Sequence, residues 1–196
     1  MSCSTVKKLL LAKFGNLSRP RPGSKCKFGC GTPPTQSHIL GGCRRHSGIY
    51  ILRHDRAVVS MFRHLRKALP DCEIVLNGTK RVKGAIQSIP LRVFGPRLRR
   101  ALHRTQQHNS QPDIVVIDHD RKSVHILEVG VSNWRRAPAL TFSKAERYRH
   151  LQIAIQKGRS YSCSLESIIF GTLGQVPSRA VDLLSRLSRV PTTQAL

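Results

Sequence analysis

The chain has 196 residues, 39% of them hydrophobic, enough for one ordinary domain with a small appendage and too apolar for wholesale disorder. Its 34 Lys and Arg outnumber 10 Asp and Glu, for a formal net charge of +24. Spread from Lys7 to Arg189, that field favours a polyanion, nucleic acid ahead of anionic membrane, since no long basic amphipathic helix accompanies it. No run approaches ~18 consecutive apolar residues, so no membrane span is expected. The opening MSCSTVKKLLLAKFG lacks the apolar region and small-residue cleavage site of a secretory signal, so secretion is not expected.

Residues 1–25 are basic and end in SRPRPGSK, which reads as a flexible lead-in. Next comes CKFGCGTPPTQSHILGGC, which places Cys26, Cys30, His38 and Cys43 within eighteen residues. Three thiols and an imidazole so close suit tetrahedral zinc, and Gly29, Gly31, Gly41 and Gly42 permit the turns around it. The spacing lacks a standard C-x2-C pair. Free thiols in a loop are the other reading, but closed four-ligand sets are uncommon by chance. The remaining cysteines, Cys3, Cys72 and Cys163, are scattered, which fits a reducing compartment rather than a disulfide framework. Too short for a core of its own, such a module would need the metal to fold, and modules of this size commonly contact nucleic acid.

In YILRHDRAVVSMFRHLRKALP, the positions Val58, Phe62, Leu65 and Leu69 recur at helical spacing, predicting an amphipathic helix over 50–69 stopped by Pro70. CEIVL predicts a strand that ends at an Asn77-Gly78 turn. Residues 79–110 are basic and irregular, with PRLRRALHRTQQ as a possible short helix. Four of the ten acids then fall within QPDIVVIDHDRKSVHILEVGV, which reads as two strands, 113–118 and 123–131, joined by a turn that Asp118 and Asp120 shape. SKAERYRHLQIAIQKG predicts a helix with a Ser143–Glu146 capping box and Gly158 at its end. SLESIIFGTL predicts a strand, and SRAVDLLSRLSRV a last helix closed by Pro191. The order predicts an α/β fold with a mixed sheet.

If 113–118 and 123–131 pair as a hairpin, Ile117 faces Val124, Val115 faces Ile126, and Asp113 faces Glu128. Both acids then share the buried face, with Cβ atoms about 5 Å apart. Like charges so placed repel, and a divalent cation such as Mg²⁺ or Mn²⁺ held between them would compensate. Phosphodiester hydrolysis suits such a site, with Lys144, and Arg147 a turn later, at the start of the next helix, where a phosphate is also favoured. Two plainer readings stand beside this one: Asp113 merely opens a strand after Pro112, and Glu128 pairs with one of the many arginines. His54 either approaches this site or holds the start of its helix. Asp55 is either a further acid near the site or a helix cap. His119 and His125 read as solvated. Trp134, between Asn133 and the Arg135-Arg136 pair, either stacks on a base or anchors a loop.

Taken together, CGTPPTQSHILGGC, YILRHD, QPDIVV, ILEVGV and KAERY resemble the C-terminal region of site-specific non-LTR retrotransposon polyproteins, which carry a CCHC zinc knuckle followed by a restriction-like endonuclease of the PD-(D/E)XK superfamily. The likeness covers roughly residues 20–190, and SIIFGTLGQVP resembles the late strand and turn of that domain. It implies an αβββαβ core over 47–190, a knuckle over 26–46 and a tail over 191–196. It implies Mg²⁺ at Asp113 and Glu128, a displaced catalytic lysine at Lys144, and supporting roles for His54, Asp55, Arg147 and Tyr148, with Arg53-His54-Asp55 matching an Arg-His-Asp signature. Arg44, Arg45, Arg135 and Arg136 become candidate nucleic-acid contacts. The activity implied is nicking of target DNA to prime reverse transcription, in the nucleus, with element RNA as a further partner. Gln111 departs from the basic residue usual before Pro-Asp, Arg147 from a second lysine, and Gly130 from the lysine position of the wider superfamily. A catalytically inactive binding fragment is the alternative expectation. Since 196 residues leave no room for a reverse transcriptase, the chain looks like a fragment, a truncated copy or a detached domain.

Overall fold

The computed structural model describes residues 22–77, 111–133, 136–158 and 160–188. The lead-in up to residue 21, Gly78, the segment 79–110, Trp134, Arg135, Pro191 and the tail 191–196 lie outside the described residues. From Ser47 the order is α1 (Ser47–Ala68), β1 (Glu73–Leu76), β2 (Ile114–Asp118), β3 (Ser123–Ser132), α2 (Ala137–Lys157), β4 (Ser162–Gly171) and α3 (Ser178–Ser188). Ahead of α1 run two short helical segments, His38–Gly42 and Arg44–His46. Among the described residues no helix is long and apolar enough to cross a membrane.

The four strands make one mixed sheet in the order β1-β2-β3-β4. The β1/β2 and β2/β3 pairs are antiparallel, and β3/β4 is parallel, joined through α2. A parallel pair needs such a crossover, and the crossover helix must cover a face of the sheet. Val115, Ile117, Val124 and Ile126 point toward Tyr148, Leu151 and Ile155 of α2. The alternate residues Ile114, Val116, Leu127 and Val129 point the other way, onto Val58, Phe62 and Leu65 of α1 and Leu183 and Leu187 of α3. Buried on both faces, β2 and β3 read as nearly continuous apolar runs.

The hairpin register is the predicted one: Ile117 opposes Val124 and Val115 opposes Ile126. The turn chemistry holds as well, since Asp118 Oδ1 accepts the Arg121 N–H at 2.8 Å. Helix α1 begins three residues before the predicted start. Helix α2 differs more: it begins at Ala137, with a proline in its first turn, where the missing N–H costs nothing. Ser143 and Glu146 are therefore interior, and the Ser143 hydroxyl bonds back to the Leu140 carbonyl instead of capping. His54 and Asp55 likewise lie inside α1, so neither holds or caps a helix start.

Two histidines expected in solvent are engaged. His119 sits between the Tyr161 hydroxyl and the Glu73 carboxylate, each at 2.8 Å, tying together the start of β1, the hairpin turn and the start of β4. His125 bonds the Ser164 hydroxyl at 2.7 Å, and burial pushes its pKa down, with Arg186 adding to the effect.

Phe62 is 1% exposed at the centre of the α1–sheet layer. Phe62→Ala should lower stability by about 3–5 kcal/mol, read as a shift of the urea unfolding midpoint with little change in slope.

Candidate active site and metal centre

The β2/β3 ladder ends at Ile114 opposite Leu127, and one residue further on the acids meet. Asp113 Oδ2 accepts the Val129 N–H at 2.8 Å, while Glu128 Oε2 accepts the Asp113 N–H at 3.2 Å. Each carboxylate thus caps a backbone donor on the other's strand, and the two side chains converge on one face. Lys144 of α2 closes the group. Its ammonium donates to Glu128 Oε1 and lies 4.0 Å from Asp113 Oδ2. The arginine pairing considered for Glu128 is replaced by this lysine.

Gly130 explains how Lys144 gets there. A Cβ at position 130 would lie 2.6 Å from Ile169 Cδ1 and 3.3 Å from Lys144 Cε. The space over β3 that a side chain would take is filled by the stem of a lysine arriving from the helix. Lys144 is well inside α2, so the helix N-terminus does not contribute the phosphate affinity expected of it.

Other residues fix the Pro-Asp segment. The Tyr148 hydroxyl donates to the Gln111 carbonyl at 3.1 Å. Asn77 donates its amide to the Pro112 carbonyl at 2.9 Å and its backbone N–H to the Asp113 carbonyl at 3.0 Å. Asn77 is 5% exposed, and sequence reasoning missed it by reading it only as a turn residue. From the opposite layer, His54 Nε2 reaches the Val129 carbonyl at 3.1 Å and Asp113 Oδ2 at 3.4 Å, with Nδ1 3.5 Å from Asp55 Oδ1. Both ring nitrogens face acceptors, an arrangement that suits an imidazolium. Asp113 accordingly raises the His54 pKa above its usual range. Asp55 touches the group only through His54. Arg147 is exposed on α2 beside the Tyr148 hydroxyl.

The electrostatics are uneven. Glu128 is 2% exposed, and burial, then the neighbouring Asp113, raise its pKa against the pull of Lys144. Burial and the same Glu128 charge push Tyr148 up to about 12, so it stays a hydrogen-bond donor. Asp113 and Glu128 share Lys144, and His54 faces both Asp113 and Asp55, so three carboxylates meet two basic groups and are short of positive charge. Paired carboxylates are hard oxygen donors of the kind that fit Mg²⁺, which commonly takes one or two of them.

The second candidate is a metal centre. The ligand atoms of Cys26, Cys30, His38 and Cys43 all lie within 4.8 Å of one another, and these residues can hold a zinc ion. The Cys26 and Cys43 sulfurs are 3.9 Å apart, close to the ~3.8 Å edge of a tetrahedron with 2.3 Å Zn–S bonds. Cys30 Sγ is 3.1 Å from His38 Nε2. The Thr32 backbone N–H helps hold the Cys30 thiol down at about 6, favouring thiolate, while burial raises Cys26. Gly29 and Gly31 adopt positive φ in the turns between ligands; Gly41 and Gly42, also expected to serve turns, continue the short helical segment after His38.

The centre is seated on α1. The Tyr50 hydroxyl meets the Cys43 N–H and the His38 and Ile39 carbonyls at 3.0–3.2 Å, and Arg53 donates to the Leu40 carbonyl at 2.7 Å. Arg44, Arg45 and Arg136 are exposed, the first two directly after the last ligand.

Two outcomes follow from these contacts. Lys144→Met leaves Glu128 buried without its counter-charge and should cost about 3 kcal/mol in chemical denaturation without added divalent cation. Adding Glu128→Gln should recover most of that loss. Tyr50→Phe removes the hydroxyl that fixes the backbone of two ligands, and should weaken zinc about tenfold or more in chelator competition, while Cys43→Ser should abolish stoichiometric zinc in elemental analysis.

No protein-family model matches the chain, and no curated protein does. A solved N-terminal domain of a reptarenavirus L protein is similar at 16% identity and a TM-score of 0.35, over 74% of this chain and 71% of that one. A likeness of that degree carries no argument about function.

Proposed function

We propose that this chain is a metal-dependent DNA endonuclease domain of the restriction-like type, over 47–190, preceded by a zinc knuckle over 26–46. The observation that carries the reading is the convergence of Asp113 and Glu128 from neighbouring strands, with Lys144 between them at a sheet end where Gly130 makes room for it. The order α1-β1-β2-β3-α2-β4 is consistent with a restriction-like αβββαβ core. The two carboxylates would hold Mg²⁺ or Mn²⁺, which when bound polarises a phosphodiester and lowers the pKa of a coordinated water.

The chain's own residues have separable tasks. Asp113 would bind through Oδ1, left over after Oδ2 caps the Val129 N–H, and Glu128 through Oε1, which it shares with Lys144. The Lys144 ammonium orients the attacking water and balances charge as it develops on the phosphate. Asn77 and Tyr148 hold the Pro112-Asp113 backbone, and His54 steadies Asp113 from the other layer. The knuckle, with Arg44 and Arg45 beside it, and Arg136 at the start of α2 supply phosphate contacts, which makes binding salt-sensitive. The sequence resemblance extends the proposal to a non-LTR retrotransposon nuclease acting on DNA in the nucleus, with element RNA as a further partner.

A second reading has its own support: the Lys144–Glu128 pair already gives the more buried acid a counter-charge, as in a structural lock. On that reading the chain binds nucleic acid without cutting it.

A nicking assay on supercoiled plasmid separates the two. Wild type should nick with Mg²⁺ and stop with chelator. Asp113→Asn should fall to background, and Lys144→Ala by about 10²–10³-fold, with all variants folded by circular dichroism. Equal nicking by wild type and Asp113→Asn would sink the catalytic assignment.

A further inference from the structure

A cavity of about 720 Å³ opens beside the acids, between the segment that carries the His38 ligand, the first turns of α2 and the ends of β3 and β4. It lies on the face of the sheet that carries Glu128. Ser167 and Ile169, which line it, are the β4 partners of Glu128 and Gly130. Its floor therefore begins one strand spacing, about 4.8 Å, from Glu128.

The walls have a mixed chemistry. Leu40, Pro138 and Ile169 offer apolar surface; Asn133 and Thr141 offer polar atoms. Asn133 uses one amide hydrogen on the Ser37 hydroxyl at 2.9 Å and keeps a second. Among the described lining residues none is acidic, and the one charged side chain, Arg179, is already paired with Glu166 at 3.4 Å. Ser167 is 4% exposed, and its hydroxyl has no hydrogen-bond partner among the described residues. A buried hydroxyl is costly to leave unpaired.

The geometry points to a pocket for an unpaired nucleobase of the strand being cut, held next to the phosphate that the acids engage. A base is flat, neutral, apolar on its faces and polar at its edge, which is what these walls accept, and the volume lies within the range of nucleoside-sized sites. The inference rests on the nuclease reading and adds to it a substrate class: DNA with a base out of its stack beside the scissile bond.

The test is equilibrium binding with Ca²⁺ in place of Mg²⁺, so that no strand is cut. Two probes of equal length and charge are compared, an oligothymidylate and a strand of abasic sites. Wild type should prefer the oligothymidylate by about tenfold or more. Ser167→Leu fills the cavity from the sheet, and Thr141→Met narrows it from the surface of α2, where the hydroxyl bonds only its own helix. Both should erase the preference while binding the abasic strand as wild type does. If Ser167→Leu fails to fold, Thr141→Met carries the test alone. A preference that survives the folded variants overturns the pocket, as does an equal loss on both strands. Because binding is read without cutting, an intact, cavity-dependent preference in a protein that never nicks would sink the nuclease reading and keep the base pocket. Nicking with no such preference would do the reverse.

Discussion

Two carboxylates that cap each other's strands set the terms for the rest of the site. At the end of the β2/β3 ladder, Asp113 and Glu128 each accept a backbone N–H from the opposite strand, so neither can turn away without leaving a donor unpaired. That geometry holds two like charges together in a poorly solvated place, where their repulsion is several times what water would allow. Lys144 reaches them because β3 carries glycine at position 130, and even so the buried Glu128 is pushed toward its protonated form. Lys144 and His54 together face three carboxylates, Asp55 being the third. The shortage of positive charge is local, inside a chain with a large surplus of it.

All three layers meet at this point. The sheet supplies the acids, α2 supplies Lys144 and Tyr148, and α1 supplies His54. Asn77 at the end of β1 holds the loop that presents Asp113. The same helix α1 carries Tyr50 one turn before His54 and Arg53 immediately before it, and those residues grip the backbone of the Cys/His centre. Ordering the metal ligands therefore orders the first turns of α1, and His54 follows on the next position of that helix. The two candidate metal sites are joined by one helix.

What the sequence disclosed was whatever a local period controls. The hairpin register followed from the short polar turn that joins the strands; a slip by one residue would have moved Glu128 to the other layer. The four zinc-type ligands were legible because their chemistry and closeness leave few alternatives. The start of α2 was misjudged because Ser143 and Glu146 satisfy a capping pattern without being at an end; Pro138 was the better signal. Asn77, His119 and His54 were unread or half-read for a common reason. Each acts on a residue 35 or more positions away, and no local pattern marks such a contact.

The distribution of charge gives these contacts their meaning. Of the ten acids, Asp55, Glu73, Asp113, Asp118, Glu128, Glu146 and Glu166 are engaged by basic side chains or histidines within the fold, two of them through a histidine shared with a second acid. Little negative charge is left to mask the surplus of Lys and Arg, so a polyanion meets an attractive surface over most of its approach. At Asp113 and Glu128 the sign reverses. A phosphate approaching this point meets two carboxylates that would repel it, unless Lys144 and a further cation stand between them. On the proposed nuclease reading, this general attraction would bring nucleic acid close, phosphate would settle at the two acids only with added positive charge, and the cavity beside them would take the uncharged part of a nucleotide.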